Sequence, residues 1–251
     1  ILVESVLPRL IDRFPPDQAN RICRTAGFPE SVLAARVEPV LRKRHPQVAL
    51  AYCARPFEVD VRFTVPYNQR ESLNAAEATL RELLGDAVFP PGTESLPEAV
   101  GQRLIQAKAT LAVAESCTGG LIGADLTAVP GSSAFFLGGI IAYDNDCKHR
   151  LLGVPKEDLE RHGAVSPEVA KAMALGAQKR TGANFAIAVT GIAGPGGATE
   201  EKPVGLVYIA IASVNGVEVQ PNVFPGNREA IRRRTVTTAL NMLREQTQQT
   251  T

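Results

Sequence analysis

The sequence predicts an α/β/α sandwich on a mixed sheet, preceded by a smaller α+β module. Three observations carry this. Beyond residue 94 the chain alternates helical and strand-forming segments, the pattern of a sheet with helices packed on its faces. Asn215-Gly216, set between two runs of strand formers, is a two-residue turn that specifies an antiparallel hairpin, so the sheet is mixed. In front of that region, Val59, Val61, Phe63 and Val65 alternate with Asp60, Arg62 and Thr64, which reads as a half-buried strand.

Each element has a local reason. Glu4 to Phe14 reads as a short amphipathic helix stopped by Pro15-Pro16. Asp17 is placed to cap a second helix, and Glu30-Ser31 to start a third that ends at Arg44, before His45-Pro46. Residues 47–54 and 57–65 read as strands joined through Arg55-Pro56. A helix from Asn68 or Ser72 runs to Leu84 with Leu73, Ala76, Leu80 and Leu84 as its apolar stripe, and Gly85 ends it. Phe89-Pro-Pro-Gly-Thr-Glu94 marks a domain boundary.

Residues 97–108 then read as a helix, 109–114 as a strand, 121–128 as a helix before Pro130-Gly131, and 138–143 as a strand. Ser166-Pro167-Glu168 provides a capping hydroxyl, a proline at the first helical position and an acid in the first turn. The helix it opens runs to Arg180 and stops at Gly182. Residues 183–189 form a buried-type strand, 204–213 and 217–224 the hairpin, and the last helix runs from near Asn227 to Gln246. The Gln/Thr tail beyond is expected to fray.

Composition narrows the function classes. The chain has 251 residues, 45% of them hydrophobic, 21% charged and 5% aromatic, with a net charge of +1 and no Trp. That suits a globular protein with a real core, and it counts against a polyanionic partner such as nucleic acid or a base-stacking platform. Cys23, Cys53, Cys117 and Cys147 form no C-x-x-C pair, and His45, His149 and His162 are scattered, so no zinc set is advertised. With no secretory or membrane-spanning segment, the expectation is a cytoplasmic protein with reduced thiols. The start Ile-Leu-Val, without methionine, reads as mid-protein, so a fragment of a longer chain is expected.

Four clusters could carry chemistry. Ala114-Glu115-Ser116-Cys117-Thr118-Gly119-Gly120 sits where a strand hands over to a helix, a place that exposes side chains and aims backbone N–H groups at a ligand. The same residues serve equally as a plain cap. Ser116 ranks ahead of Cys117 as nucleophile, and neither a G-x-S-x-G elbow nor an S-x-x-K motif is present, so any base comes from elsewhere. Tyr143-Asp144-Asn145-Asp146-Cys147-Lys148 follows a strand end, where ligands of open α/β sheets gather. Lys148 taken alone reads as the solvated start of a helix; as a base it needs a lowered pKa. Thr190-Gly-Ile-Ala-Gly-Pro-Gly-Gly197 brings backbone donors within reach of an anion, but it matches no phosphate-loop pattern and reads equally as a wide turn. Glu200-Glu201-Lys202-Pro203 looks exposed. Arg228, in the first turn of a helix, is a cation where the macrodipole disfavours one, which suggests an anion to hold. Arg232 falls one turn on; Arg233 and Arg234 read as a solvated face.

Taken together, A-E-S-C-T-G-G, G-G-I-I-A-Y…K, H-G-A-V-S, V-T-G-I-A-G-P-G-G with E-E-K-P-V-G, and F-P-G-N-R-E-A-I-R closely resemble the CinA family. They match its C-terminal nicotinamide mononucleotide deamidase domain, and R-T-A-G-F-P-E-S resembles the family's connector. The resemblance implies three parts: 1–26 as the tail of a missing molybdopterin-binding-like domain and connector, 27–92 as a small KH-like domain, and 93–251 as the amidohydrolase domain. It implies a three-layer sandwich on a mixed, mostly parallel five-stranded sheet. It implies Ser116 as nucleophile, with Tyr143 and Lys148 as its hydrogen-bonded proton-transfer partners. Thr118, Gly119, Gly120, Thr190, Gly191, Gly194, Arg228 and Arg232 would then bind substrate, with the start of the 119–128 helix helping to hold a phosphate. No cofactor and no metal is implied, and a homodimer is expected. Asn227 stands where an acid is frequent, and the KH-like part lacks a G-x-x-G loop, which argues against RNA binding by it. Two other readings stay open: a non-catalytic nucleotide-binding or interaction module in a competence or DNA-damage response, and a thiol enzyme using Cys117.

Overall fold

The computed structural model describes residues 16–55 and 58–247, together with residues 6, 9, 10, 13 and 14. The helix expected over 4–14 falls largely outside the described residues, as do Pro56 and Phe57 of the expected turn. The chain divides into two compact units, Ile1–Gly92 and Thr93–Thr251.

In the first unit, β1 (Gln18–Ala26), α1 (Glu30–Arg44), β2 (Ala49–Arg55), β3 (Glu58–Pro66) and α2 (Ser72–Leu84) follow one another. The sheet runs β1-β3-β2 and is antiparallel throughout. Residues 18–26, expected as a helix capped by Asp17 and as connector, are instead an edge strand paired along the whole of β3, from Gln18 opposite Pro66 to Ala26 opposite Glu58. The reason is tertiary. The segment's own pattern is weak, but pairing with a distant, strongly alternating strand buries Cys23, Thr25 and Ala26, and Thr25 Oγ1 donates to the Val59 carbonyl at 2.8 Å. Val59, Val61, Phe63 and Val65 fill the core with Leu33, Val37 and Leu41 of α1 and Leu73 and Leu80 of α2.

The second unit contains α3 (Leu96–Gln106), β4 (Leu111–Glu115), α4 (Leu121–Thr127), β5 (Phe136–Ile141), α5 (Asn145–Leu152), α6 (Lys156–His162) and α7 (Pro167–Thr181). β6 (Phe185–Gly191), β7 (Leu206–Ser213), β8 (Gly216–Val223) and α8 (Arg228–Gln246) complete it. Of these, α6 had no counterpart in the sequence reading. The sheet order is β5-β4-β6-β7-β8. β4 pairs in parallel with β5 and β6, and β7 is antiparallel to both β6 and β8, so β7 runs against the other four. This is a mixed, mostly parallel five-stranded sheet in an α/β fold.

Side-chain size differs between the two sheet faces. One face presents Ala114, Ala186, Ala188, Ala210 and Ala212 to Ala170, Met173, Ala174 and Ala177 of α7, and alanine against alanine lets helix and sheet approach closely. The other carries Val113, Ile187, Val189, Ile209 and Ile211, all buried, on the side of α8 and α3. The end of α5 is clamped against α7, because a Cβ on Gly176 would lie 1.9 Å from the Leu152 carbonyl oxygen. Gly176→Ala is therefore expected to cost about 3 kcal/mol, read as a lower urea midpoint at unchanged slope. An unchanged midpoint would show that α5 shifts freely, although it carries Lys148.

The parallel strands set the functional geometry. β4, β5 and β6 bring their carboxyl ends to one edge of the sheet, and Ser116, Tyr143 and Thr190 lie at those ends. Among the described residues no helix is long and apolar enough to cross a membrane.

Candidate active site

The turn after β4 is held from several directions. The Ser116 N–H donates to the Val189 carbonyl at 3.1 Å, and the Gly119 N–H donates to the Ser116 carbonyl at 3.1 Å. Gly119 and Gly120 take φ of +61° and +95°, which only glycine adopts without strain, and a Cβ on Gly120 would come 3.0 Å from Ile141 Cδ1. Ser116 is 8% exposed, and among the described residues its hydroxyl makes no hydrogen bond. Cys117 is buried, and that desolvation pushes its thiol up to about 12, so it stays protonated and is a poor nucleophile. Thr118 is fully buried with its hydroxyl unpartnered.

Glu115 went unassigned in the sequence reading. Its buried carboxylate accepts the N–H groups of Gly120 at 2.9 Å, Ile122 at 3.1 Å and Gly123 at 2.9 Å. The helix start expected to help hold a phosphate is thus filled by the protein's own carboxylate, which corrects that expectation. An acid just ahead of a short helix was the available signal, since a carboxylate suits the N-terminal amides.

Lys148 is not solvated, as it reads when taken alone. It is 1% exposed, one turn into α5, and its Nζ donates to the Tyr143 carbonyl at 2.8 Å. Burial lowers its pKa from the ordinary 10.5, opposed by Asp144 first and then by the Cys117 and Cys147 sulfurs. The amine therefore sits by the end of β5, with the Cys117 sulfur, next in the chain after Ser116, among its neighbours. No hydrogen bond joins Lys148 Nζ to Ser116 Oγ among the described residues. Tyr143 is not between them: its exposed hydroxyl accepts from Arg228 Nη2 at 3.1 Å. The residue instead serves Lys148 through its backbone carbonyl.

The remaining candidates divide into held and open groups. The Thr190 hydroxyl is committed to the Ala164 carbonyl at 2.7 Å, which fastens the H-G-A-V-S segment to β6. Gly191 is required by packing, since a Cβ there would come within 2.7 Å of the Leu206 carbonyl and 2.6 Å of Val207. Arg228 bends away from its own helix start and donates to the Gly194 carbonyl at 2.9 Å as well as to Tyr143, so the glycine-rich loop, β5 and α8 meet at one guanidinium. Arg232 donates to the Thr118 carbonyl, and its buried Nε has no partner. Neither arginine forms an ion pair among the described residues, which leaves two positive charges for an anionic ligand. Arg233 pairs with Asp125 and is exposed as expected, whereas Arg234 is half-buried. Lys202 likewise departs from the expected exposed stretch: its Nζ donates to the His162 carbonyl at 2.6 Å.

Residues 93–247 match the family model described as the CinA C-terminal domain, and residues 20–90 match the KH domain of damage-inducible protein CinA. The chain belongs to the CinA family. A CinA-like protein of Geobacter sp. (strain M21) is 42% identical over 97% of this chain and 58% of its own length. One from Gemmatimonas aurantiaca is 43% identical, again over 97% of this chain and 58% of its own length. The chain thus spans less than two thirds of these CinA relatives. Among solved structures, the competence/damage inducible protein CihA from Agrobacterium tumefaciens is 46% identical, with a TM-score of 0.56 over 62% of this chain and 95% of its own. A CinA superfamily protein from Klebsiella pneumoniae is 33% identical, with a TM-score of 0.59 over 62% of this chain and 99% of its own.

Proposed function

We propose that this chain is a nicotinamide-nucleotide amidase, converting nicotinamide mononucleotide and water to nicotinate mononucleotide and ammonia. The observation that carries the reading is the buried amine of Lys148, kept short of its ordinary basicity by desolvation beside the turn that bears Ser116. A lowered pKa makes the neutral, proton-accepting form of the amine more available, as a base for a hydroxyl nucleophile requires. The substrate is taken from the resemblance of the C-terminal half to nicotinamide mononucleotide deamidases, and the unpaired Arg228 and Arg232 give its phosphate a place.

In this mechanism Ser116 Oγ attacks the carboxamide carbon and its proton passes to neutral Lys148. The tetrahedral intermediate collapses with loss of the C–N bond, and Lys148 returns the proton to the departing nitrogen, which leaves as ammonia. Water then attacks the seryl ester, Lys148 takes its proton and delivers it to Ser116 Oγ, and nicotinate mononucleotide is released. The pyridinium withdraws electrons from the amide and eases the first attack. Closing the gap between Lys148 and Ser116 falls to substrate binding or one bridging water.

The test is product analysis of the chain incubated with nicotinamide mononucleotide. Ammonia and nicotinate mononucleotide in equal amounts support the proposal. A nucleotide that binds but is not hydrolysed supports the second reading, a non-catalytic nucleotide-binding module, which the competence and damage names among the relatives favour.

A further inference from the structure

We propose that Glu115 is a positioning residue: its carboxylate fixes the turn behind Ser116 so that the backbone amides of Cys117 and Thr118 bind the carbonyl oxygen under attack. This rests on the amidase reading above.

The amides of the turn can be accounted for one by one. Ser116 donates to Val189 and Gly119 to the Ser116 carbonyl. One Glu115 oxygen takes Gly120 and Ile122, and the other takes Gly123. Cys117, Thr118 and Leu121 have no oxygen acceptor among the described residues; the first two are left to the Cys117 sulfur. Leu121 lies between two amides already tied to Glu115, whereas Cys117 and Thr118 adjoin the nucleophile. A tetrahedral intermediate needs donors fixed in advance near the place where its charge develops. Two weakly held amides next to Ser116 meet that requirement, and they keep free of stronger acceptors because Glu115 takes the others.

Glu115 suits the task chemically. It is 1% exposed and makes no ion pair among the described residues, so its charge is satisfied by three N–H donors. Its own carbonyl accepts from Ala142 N–H at 2.9 Å, which ties the end of β4 to the end of β5. The turn is therefore gripped on both sides of Ser116. A glutamine here would keep the length but set an NH₂ group against a backbone N–H. Two further features belong to the same spot. The Thr118 hydroxyl is buried with no partner. In the resting protein the two amides lie beside the Cys117 sulfur, which as a protonated thiol is a weak acceptor and readily yields to an oxyanion.

The experiment compares the full chain with Glu115→Gln by amide hydrogen exchange and by steady-state kinetics. In the folded variant, exchange at Gly120, Ile122 and Gly123 is expected to accelerate at least about tenfold. The kcat for nicotinamide mononucleotide should fall about 100-fold with KM nearly unchanged and the pH midpoint of activity unmoved. A loss carried by KM, or turnover near that of the parent despite faster exchange, overturns the proposal. So does unchanged exchange at the three amides. Should the variant not fold, exchange in the parent decides the matter with phenylboronic acid as probe, whose boron bonds Ser116 Oγ and becomes a tetrahedral anion as the serine proton is released. Protection is expected at Cys117 and Thr118; protection at Leu121 or in 191–197 instead, or none, overturns it. A parent that leaves nicotinamide mononucleotide intact but shows slow exchange at 120, 122 and 123 contradicts the amidase reading and the oxyanion role together, while Glu115's hold on the turn stands.

Discussion

Ser116→Ala is expected to slow hydrolysis of nicotinamide mononucleotide by about 10⁴-fold or more while leaving the protein's melting behaviour unchanged. The two halves have one cause. The Ser116 hydroxyl makes no hydrogen bond among the described residues, so its removal breaks nothing that holds the turn. The turn is secured by backbone groups and by the Glu115 carboxylate. In the proposed mechanism only the attacking oxygen is lost, and what remains is binding and the proposed amide donors. Ammonia release within about tenfold of the parent would remove Ser116 from the mechanism.

Lys148→Met should produce changes of opposite sign. Turnover is expected to fall by about 10³-fold or more, because the amine held at the carboxyl end of β5 is the one proposed to accept the serine proton. Stability should lose its dependence on that amine. The folded-state pKa of Lys148 lies below its ordinary 10.5, so between the two values the unfolded chain holds the extra proton. The parent's stability from this group is accordingly complete above 10.5 and declines as pH falls through the lowered folded value. Methionine removes that slope, so urea midpoints of parent and variant should diverge on going from alkaline to neutral pH, with the variant gaining on the parent as pH falls. In the parent, kcat should rise with pH along a limb whose midpoint lies below 10.5, since only the neutral amine acts as base. A variant that keeps the limb would assign it to another group.

Features that depend on a few neighbouring residues were legible before any coordinates. Asn215-Gly216 gives the hairpin of β7 and β8, Ser166-Pro167 opens α7 with the serine hydroxyl accepting from Val169 N–H, and Gly182 closes that helix in the left-handed region. The alternation from Val59 to Val65 placed β3 and its buried face. The misses share a different property. β1 is a strand because β3 pairs with it, a fact stored far along the chain. Lys148 is ambiguous in a sequence, since K-H-R at a helix start looks the same whether its amine faces water or folds back onto a carbonyl. The role of Glu115 depends on two left-handed glycines that bring three amides to one carboxylate, a geometry that no spacing rule records. Lys202, on a loop with two exposed glutamates, finds its acceptor at the last residue of α6. Ser116 and Arg228 were singled out by the types of residue at strand and helix ends and Thr190 through the resemblance, while which groups they hold had to await the packing.

The central claim, a serine hydroxyl activated by a buried lysine, is tested most directly by the rate at which phenylmethylsulfonyl fluoride modifies the protein as a function of pH, with the modified residue mapped by peptide mass. The account predicts sulfonylation at Ser116, with a rate that rises along the same pH limb as turnover and falls steeply in Lys148→Met. A label on Cys117, or a rate at Ser116 indifferent to the loss of Lys148, would contradict it.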